Sequence, residues 1–407
     1  MKNIELLAPA GDLEKLRIAI DYGADAVYCG GEQFSLRTAS RNFTIEELAE
    51  GLDYAHKKGK KVYLTLNIFA HNEDLPDFYT YMDEIKDLPI DAFLISDPGI
   101  LQWMRENRPD AELHLSTQAN TTNKLSALYW HKQGVKRIVL ARELSLKEIA
   151  EIRSETPDTL ELETFVHGAM CISYSGRCLL SNYLAGRDAN RGACAHPCRW
   201  SYNLVEEKRP GEYYPVVEDD RGTYILNSKD LCMIQHLPAL INAGVNSLKI
   251  EGRVKSVFYV ATVTDAYRKA IDAYLEEGED WFCRESWLEE VGKASHRHFT
   301  TGFYFGKPGE EDQNYKSSQY IREYEFTGIV KDYDERTQLA TVEQRNKMSL
   351  GDKIEFFGPG IEPFVQTLEY MTDEDGMLLE SAPHAQQILK IRTIRPVKEN
   401  YMVSKPK

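Results

Sequence analysis

Eight short apolar runs, each followed by an amphipathic stretch, limit what this 407-residue chain can fold into more than any other feature. The runs are Glu5 to Ala8, Ala26 to Cys29, Lys61 to Leu66, Ala92 to Ser96, Glu112 to Ser116, Arg137 to Ala141, Leu160 to Val166 and Ser247 to Glu251. Between them, stretches such as DLEKLRIAIDYG, TIEELAEGLDYAHKKG and SLKEIAEIRSE repeat apolar residues at three- and four-residue steps behind an aspartate, threonine or serine. That is the pattern of capped helices packing one face. Strand and helix in alternation require parallel pairing, and eight units are the number that closes a (β/α)8 barrel of the TIM type. A doubly wound open sheet is the alternative, but no G-x-G-x-x-G follows the first run. In such a barrel the C-terminal strand ends form the active face. Those ends hold Cys29-Gly30-Gly31, Asn67, Asp97, Ser116-Thr117-Gln118, Arg142-Glu143, His167-Gly168 and Glu251-Gly252-Arg253.

The interval breaks once, where about eighty residues separate the seventh and eighth runs. The segment from His167 to Asn246 therefore reads as an insertion capping the barrel mouth, with a hairpin of its own near VEDDRGTYIL, and insertions of this length are usually functional. It carries Cys171, Cys178, Cys194 and Cys198, spaced C-x6-C-x15-C-x3-C, in a chain with seven cysteines. Four clustered thiols can close a tetrahedral zinc site or hold an iron-sulfur cluster, since both need soft, deprotonated sulfur. The gaps depart from paired C-x2-C knuckles and suit a cluster held in irregular loops. Ordinary buried thiols are the plainer alternative.

The same insertion has Arg177, Arg187, Arg191 and Arg199 against the single acid Asp188 between Cys171 and Asn203, a local +3 in a chain of net charge −15. Tyr174, Tyr183, Trp200 and Tyr202 are interleaved among them. Guanidinium forks beside aromatic faces suit phosphates and unstacked bases, which makes Arg187, Arg199 and Trp200 candidates for RNA contact. Ion pairing with the chain's many carboxylates is the competing use. The acidic isoelectric point, near 5.3, argues against nucleic-acid binding over the whole surface but leaves a local patch open.

No apolar run approaches the ~18 residues that cross a bilayer. The N-terminus enters a strand-like run without a secretory signature, so a cytoplasmic location without membrane attachment is expected. An odd cysteine count in a reducing compartment favours ligands over disulfides. After VFYVATVTDAYRKAIDAYLEEG the alternation ends. The linker-like HRHFTTGFYFGKPGEEDQNYKSS leads into period-two strands with Gly-Asp and Pro-Gly turns, predicting a barrel domain over residues 1–318 and a small all-β barrel over 319–407. That second domain positions RNA or substrate, or simply stabilises the first.

The run ETFVHGAMCISYSGRCLLS resembles the signature of the collagenase-like peptidase family of unassigned catalytic type: an acid, an aromatic two residues on, a glycine, then C-x4-G-x-C. ELLAPAGDLEKLRIAIDYGADAVYCGG, HLSTQ, NSKDL and SLKIEGR are similar to that family too, so the resemblance covers both domains. The family holds proteins described as proteases beside others that hydroxylate RNA bases or a quinone precursor with an iron-sulfur cluster. RDANRGACAHPCRW and the overall layout resemble the branch that converts the wobble uridine of tRNA to 5-hydroxyuridine with prephenate.

That resemblance implies a 4Fe-4S cluster on Cys171, Cys178, Cys194 and Cys198, with Cys232 of NSKDLC as an alternative fourth ligand and zinc as an alternative metal. It implies tRNA and a small dicarboxylate as partners, and an oligomer with itself or with a family relative. Two carboxylates call for bidentate arginines: Arg142 and Arg253 lead, with Arg177, Arg37 and Gln118 behind them. Glu163 is the candidate for proton transfer or for support of a ligand. His167 is either a donor to the cluster or, in a peptidase, the base for Cys171 or Cys178. Neither H-E-x-x-H nor G-x-S-x-G is present. A non-catalytic RNA-binding subunit is the third reading.

Overall fold

The computed structural model describes residues 4–32, 34–35, 42–171, 173–174, 177–200, 203–204, 214–215, 229–307 and 320–407. Eight parallel strands close on themselves. They are β1 (Glu5–Pro9), β2 (Ala26–Cys29), β3 (Lys61–Leu66), β4 (Ala92–Ile95), β5 (Leu113–Leu115), β6 (Arg137–Val139), β7 (Glu161–Ala169) and an eighth strand, Ser247–Ile250. Each pairs with its successor, and the eighth closes the ring by pairing Ser247 with Glu163 of β7 and with Glu5 of β1. The strands are buried on both faces, packed outside against helices and inside against one another, which is why they read as continuous apolar runs rather than alternating ones.

The helices begin where the side chains satisfy free backbone N–H groups. Thr44 and Glu47 form a reciprocal capping box at Ile45–Lys57, and Ser145 and Glu148 form another at Leu146–Ser154. Asp97, expected at the active face, is instead the cap of Pro98–Asn107, accepting from the N–H groups of Gly99 (2.7 Å) and Ile100 (3.0 Å).

The insertion is shorter than the sequence suggests. β7 runs on through His167 and Gly168 to Ala169, and the strand Asp230–Cys232 folds back antiparallel onto that extension, Cys232 opposite His167. Helix Leu237–Asn242 then returns the chain to the barrel wall. The chain between these two strands is therefore residues 170–229, and its described part caps the barrel mouth; the hairpin expected near VEDDRGTYIL lies outside the described residues. Gly168 allows this crowding. Its φ is +109°, and a Cβ there would sit 2.4 Å from the Glu251 carbonyl oxygen.

The C-terminal domain is an antiparallel sheet of seven strands, ordered Phe364–Thr367, Lys353–Phe357, Met402–Pro406, Tyr324–Asp334, Leu339–Gln344, Ile388–Arg392, Met371–Thr372. Its strands share one apolar cluster including Val342, Phe356, Phe364, Ile391 and Val403. The domain is all-β as expected. No ladder joins its two edge strands among the described residues, but Gln366 of the first strand donates to the Arg392 carbonyl (2.8 Å) and accepts from the Ile394 N–H (3.0 Å) across that gap. The long helix Val257–Glu277 docks it: Val257, Phe258 and Ala261 pack with Ile18 and Tyr22 of the barrel and Ile329, Phe357 and Met402 of the sheet. Lys293 adds a buried ion pair to Glu355 at 2.8 Å.

Candidate functional site

At the C-terminal face of the barrel lies a cavity of about 180 Å³. Its floor is made by side chains from the barrel strands, among them Tyr28, Thr65, Leu94, Phe165 and Lys249. The wall is formed by strand-end loops carrying Asn67, Ser116, Gln118, Arg142, Glu251 and Arg253. The capping segment supplies the rest: Cys171, Cys178, Cys194, His196 and Cys198 all line this one cavity. Lys255 and Tyr320, the latter just before the C-terminal domain, complete the rim.

The capping segment is held in place by specific contacts. Arg191 makes a bidentate pair with Asp74 at 2.9 and 2.7 Å, which ties the segment to the loop after β3. Asn190 donates from Nδ2 to the Cys178 carbonyl (3.2 Å), and Ser181 Oγ accepts from the N–H of Ala195 (2.9 Å). The His196 N–H donates to Cys194 Sγ (3.4 Å). Cys171 is exposed, while Cys178, Cys194 and Cys198 are half-buried. No three His, Cys, Asp or Glu side chains among the described residues converge tightly enough for a single metal ion. A lone zinc needs its sulfurs within about 2.3 Å of one point. Cys171, Cys178, Cys194 and Cys198 are four soft donors lining one cavity, the number and chemistry that a four-iron cluster or a zinc ion asks for.

Cys232 stands apart. It is buried in its strand, its sulfur lies 4.0 Å from the Tyr267 hydroxyl, burial pushes its thiol up to about 11, and it does not line the cavity. His167 also lies away from the cavity wall. Its ring is 1% exposed and packs among Tyr259, Tyr267 and Phe299, and burial lowers its pKa to about 3, helped by the charges of His296 and Lys255. A base for Cys171 or Cys178 would have to share the cavity with them.

Both leading arginines do line it. Arg142 donates to the Ala169 carbonyl (3.1 Å) and lies over the Phe165 ring. Arg253, 4% exposed, donates from one nitrogen to Ser35 Oγ (2.6 Å) and Thr65 Oγ1 (3.2 Å). Its close seat requires Gly30, where a Cβ would come within 2.3 Å of the guanidinium. Gln118 accepts from Ser116 Oγ (3.1 Å), while its Nε2 is buried without a partner. Arg177 is exposed and lies over Phe69 rather than on the cavity wall. Arg37 lies outside the described residues.

Glu163 sits beneath the floor, fully buried. Lys249 donates to its Oε1 (2.8 Å) and Arg137 to its Oε2 (3.2 Å). Burial pushes its carboxyl up, but these two cations more than offset that and hold it below the usual carboxylate range. Arg137 pairs in turn with Glu5 and Glu161, so a charged layer fills the barrel interior under the cavity.

Arg187 is exposed and makes no ion pair among the described residues; Tyr174, Tyr183 and Trp200 of the same segment are exposed too. Arg191 belongs to the structural alternative, paired with Asp74. The side chain of Arg199 lies outside the described residues. The sequence reading missed Lys249, Lys255, His196, Tyr28 and Tyr320. Lys249 had a signal, since a lysine in the middle of a buried strand, SLKIEGR, must point somewhere polar.

A closed (β/α)8 barrel whose mouth is capped by a cysteine-bearing segment and followed by a β-domain defines the class. The chain belongs to peptidase family U32: the model of that family matches residues 11–314, and the model of the family's C-terminal domain matches 322–403. It is similar to tRNA hydroxylation protein P1 of Bacillus subtilis, 45% identical over all of this chain and 96% of that one. It is also similar to tRNA hydroxylation protein P of Escherichia coli, 40% identical over 93% of this chain and 91% of the relative. An uncharacterized protease of Methanocaldococcus jannaschii is 42% identical over 88% of each chain. No helix among the described residues is long and apolar enough to cross a membrane.

Proposed function

We propose that this protein hydroxylates the wobble uridine of tRNA to 5-hydroxyuridine, with prephenate as co-substrate and a 4Fe-4S cluster on Cys171, Cys178, Cys194 and Cys198. The observation that carries the reading is that four thiols share one cavity with Arg142, Arg253 and Gln118. Near-full-length similarity to proteins named for tRNA hydroxylation supports it. The cluster, when bound, supplies one-electron chemistry that no protein side chain here offers.

The chain's own residues do the rest. Arg142 and Arg253 meet a dicarboxylate from the barrel wall, and Gln118 Nε2 supplies a further donor. Arg187 and Trp200 take the RNA from outside, the first by its phosphates and the second by stacking on a splayed base. The cap limits water around the reacting groups. Cys198 is preferred to Cys232 because the latter is off the cavity and holds its proton. The peptidase reading needs a thiol with a base beside it; His167, the base expected for it, is packed among aromatic rings instead, which leaves that role to His196 on the cavity wall.

Purified anaerobic protein incubated with unmodified tRNA and prephenate should yield 5-hydroxyuridine by mass spectrometry of nucleosides. Gelatin cleavage without hydroxylation would replace this reading with a peptidase. Activity only on adding a family relative would make the chain a non-catalytic subunit.

A further inference from the structure

The buried network under the cavity has one member that reaches into it. Lys249 is 3% exposed, yet its side chain lines the cavity floor. An ammonium carries three N–H donors. Glu163 takes one at 2.8 Å, and no second acceptor of Nζ is found among the described residues. The neighbours that do surround Nζ are the rings of Tyr28 (4.3 Å to the centroid) and Phe165 (5.6 Å), which stabilise a cation without consuming its hydrogens.

Gln118 Nε2, on the same cavity, is likewise a buried donor without a partner. Arg142 and Arg253 spend donors on protein oxygens, the Ala169 carbonyl and the Ser35 and Thr65 hydroxyls. The spare hydrogen-bonding capacity at the floor is therefore donor capacity, and a buried donor left without an acceptor is destabilising. An acceptor-rich, anionic ligand group removes that cost.

We propose that Lys249, with Gln118, is the contact that seats an anionic oxygen group of the small co-substrate at the barrel axis, and that Glu163 is its positioning residue. Resting on the function proposed above, this makes the two arginines the rim of the small-molecule site and Lys249 its floor. Glu163 then touches no substrate. It anchors Lys249 through the 2.8 Å contact, and Arg137 holds Glu163.

The test is titration of prephenate, and in parallel malonate and inorganic phosphate, into the full-length protein. Wild type is compared with Lys249→Met, Gln118→Leu and Glu163→Gln, with iron content and melting temperature recorded for each. Lys249→Met should weaken prephenate binding roughly 10- to 100-fold, the size of one charge-assisted hydrogen bond, and leave tRNA affinity unchanged. Gln118→Leu, which strands no charge, should weaken it several-fold and so keeps the proposal testable if Lys249→Met fails to fold. Glu163→Gln should raise KM for prephenate more than it lowers kcat. Wild-type affinity in both Lys249→Met and Gln118→Leu overturns the proposal. If wild type ignores prephenate but binds another of the anions in a Lys249-dependent way, the co-substrate reading fails and this inference stands; if it binds none, both fail.

Discussion

Replacing Arg137 with methionine removes the cation on which the barrel's interior charges converge. Arg137 is 4% exposed and pairs with Glu5, Glu161 and Glu163, the last with no exposed surface. Methionine fills much of the space, so the loss is chiefly electrostatic. Stranding a buried carboxylate by removing one partner costs about 3–5 kcal/mol, and Lys249 remains to offset part of it, so a loss near 3 kcal/mol is expected at pH 7. Urea unfolding followed by tryptophan fluorescence suits the measurement, because all five tryptophans lie before residue 288 and none in the β-domain. Adding Glu163→Gln in the same chain should restore at least about 1 kcal/mol of that loss, a coupling expected only of groups in contact. The pH dependence carries a sign. In the wild type, Glu163 is held below its unfolded value and contributes stability that is lost as pH falls through its folded pKa. With Arg137 gone, burial weighs more heavily, and the variant should recover relative to the wild type as pH falls from 7 toward 5. A loss under about 1 kcal/mol, or one independent of Glu163, refutes the network as drawn.

Serine at Cys171, Cys178, Cys194 or Cys198 should each abolish the brown colour and iron of anaerobically purified protein, while Cys232→Ser keeps both; the reverse result for Cys198 and Cys232 moves the fourth ligand. Arg187→Glu should weaken tRNA binding with unchanged melting temperature and a smaller salt dependence, whereas Arg191→Glu should destabilise the cap by breaking its pair with Asp74. His167, with its pKa near 3, stays neutral in the native state while the unfolded chain takes up a proton below about pH 6.5. It therefore costs stability as pH falls, by up to about 1.4 kcal/mol per pH unit. His167→Phe should flatten that slope by about one proton in melts between pH 6.5 and 4.5, and an unchanged slope contradicts the assignment.

The barrel was legible because each strand is buried on both faces and each helix on one, so period and composition report the fold directly. The eight expected runs fall on the eight strands, within a few residues at their ends. Boundaries failed where pairing, not hydrophobicity, decides. β7 continues past Val166 because Asp230–Cys232 supplies it with a partner from sixty residues away, and nothing local announces that. Asp97 and Arg191 show the same limit for polar groups. Either could face a ligand or a protein neighbour, and the neighbour, the N-terminus of Pro98–Asn107 in one case and Asp74 in the other, is supplied by the fold. Arg142, Arg253 and Gln118 were found by their strand-end position. Lys249 was overlooked because it lies within a strand, and only closure of the ring turns its side chain toward the cavity.

The central claim is tested most directly in cells grown without oxygen, where no oxygen-dependent route can mask the loss. A host lacking its own relative of this chain should be complemented with the wild type, Cys171→Ser or Arg142→Ala, and the tRNA nucleosides compared by mass spectrometry. The account predicts 5-hydroxyuridine and its derivatives with the wild type, neither with the variants, and a similar loss when prephenate synthesis is blocked. An unchanged nucleoside profile across all these strains would contradict it.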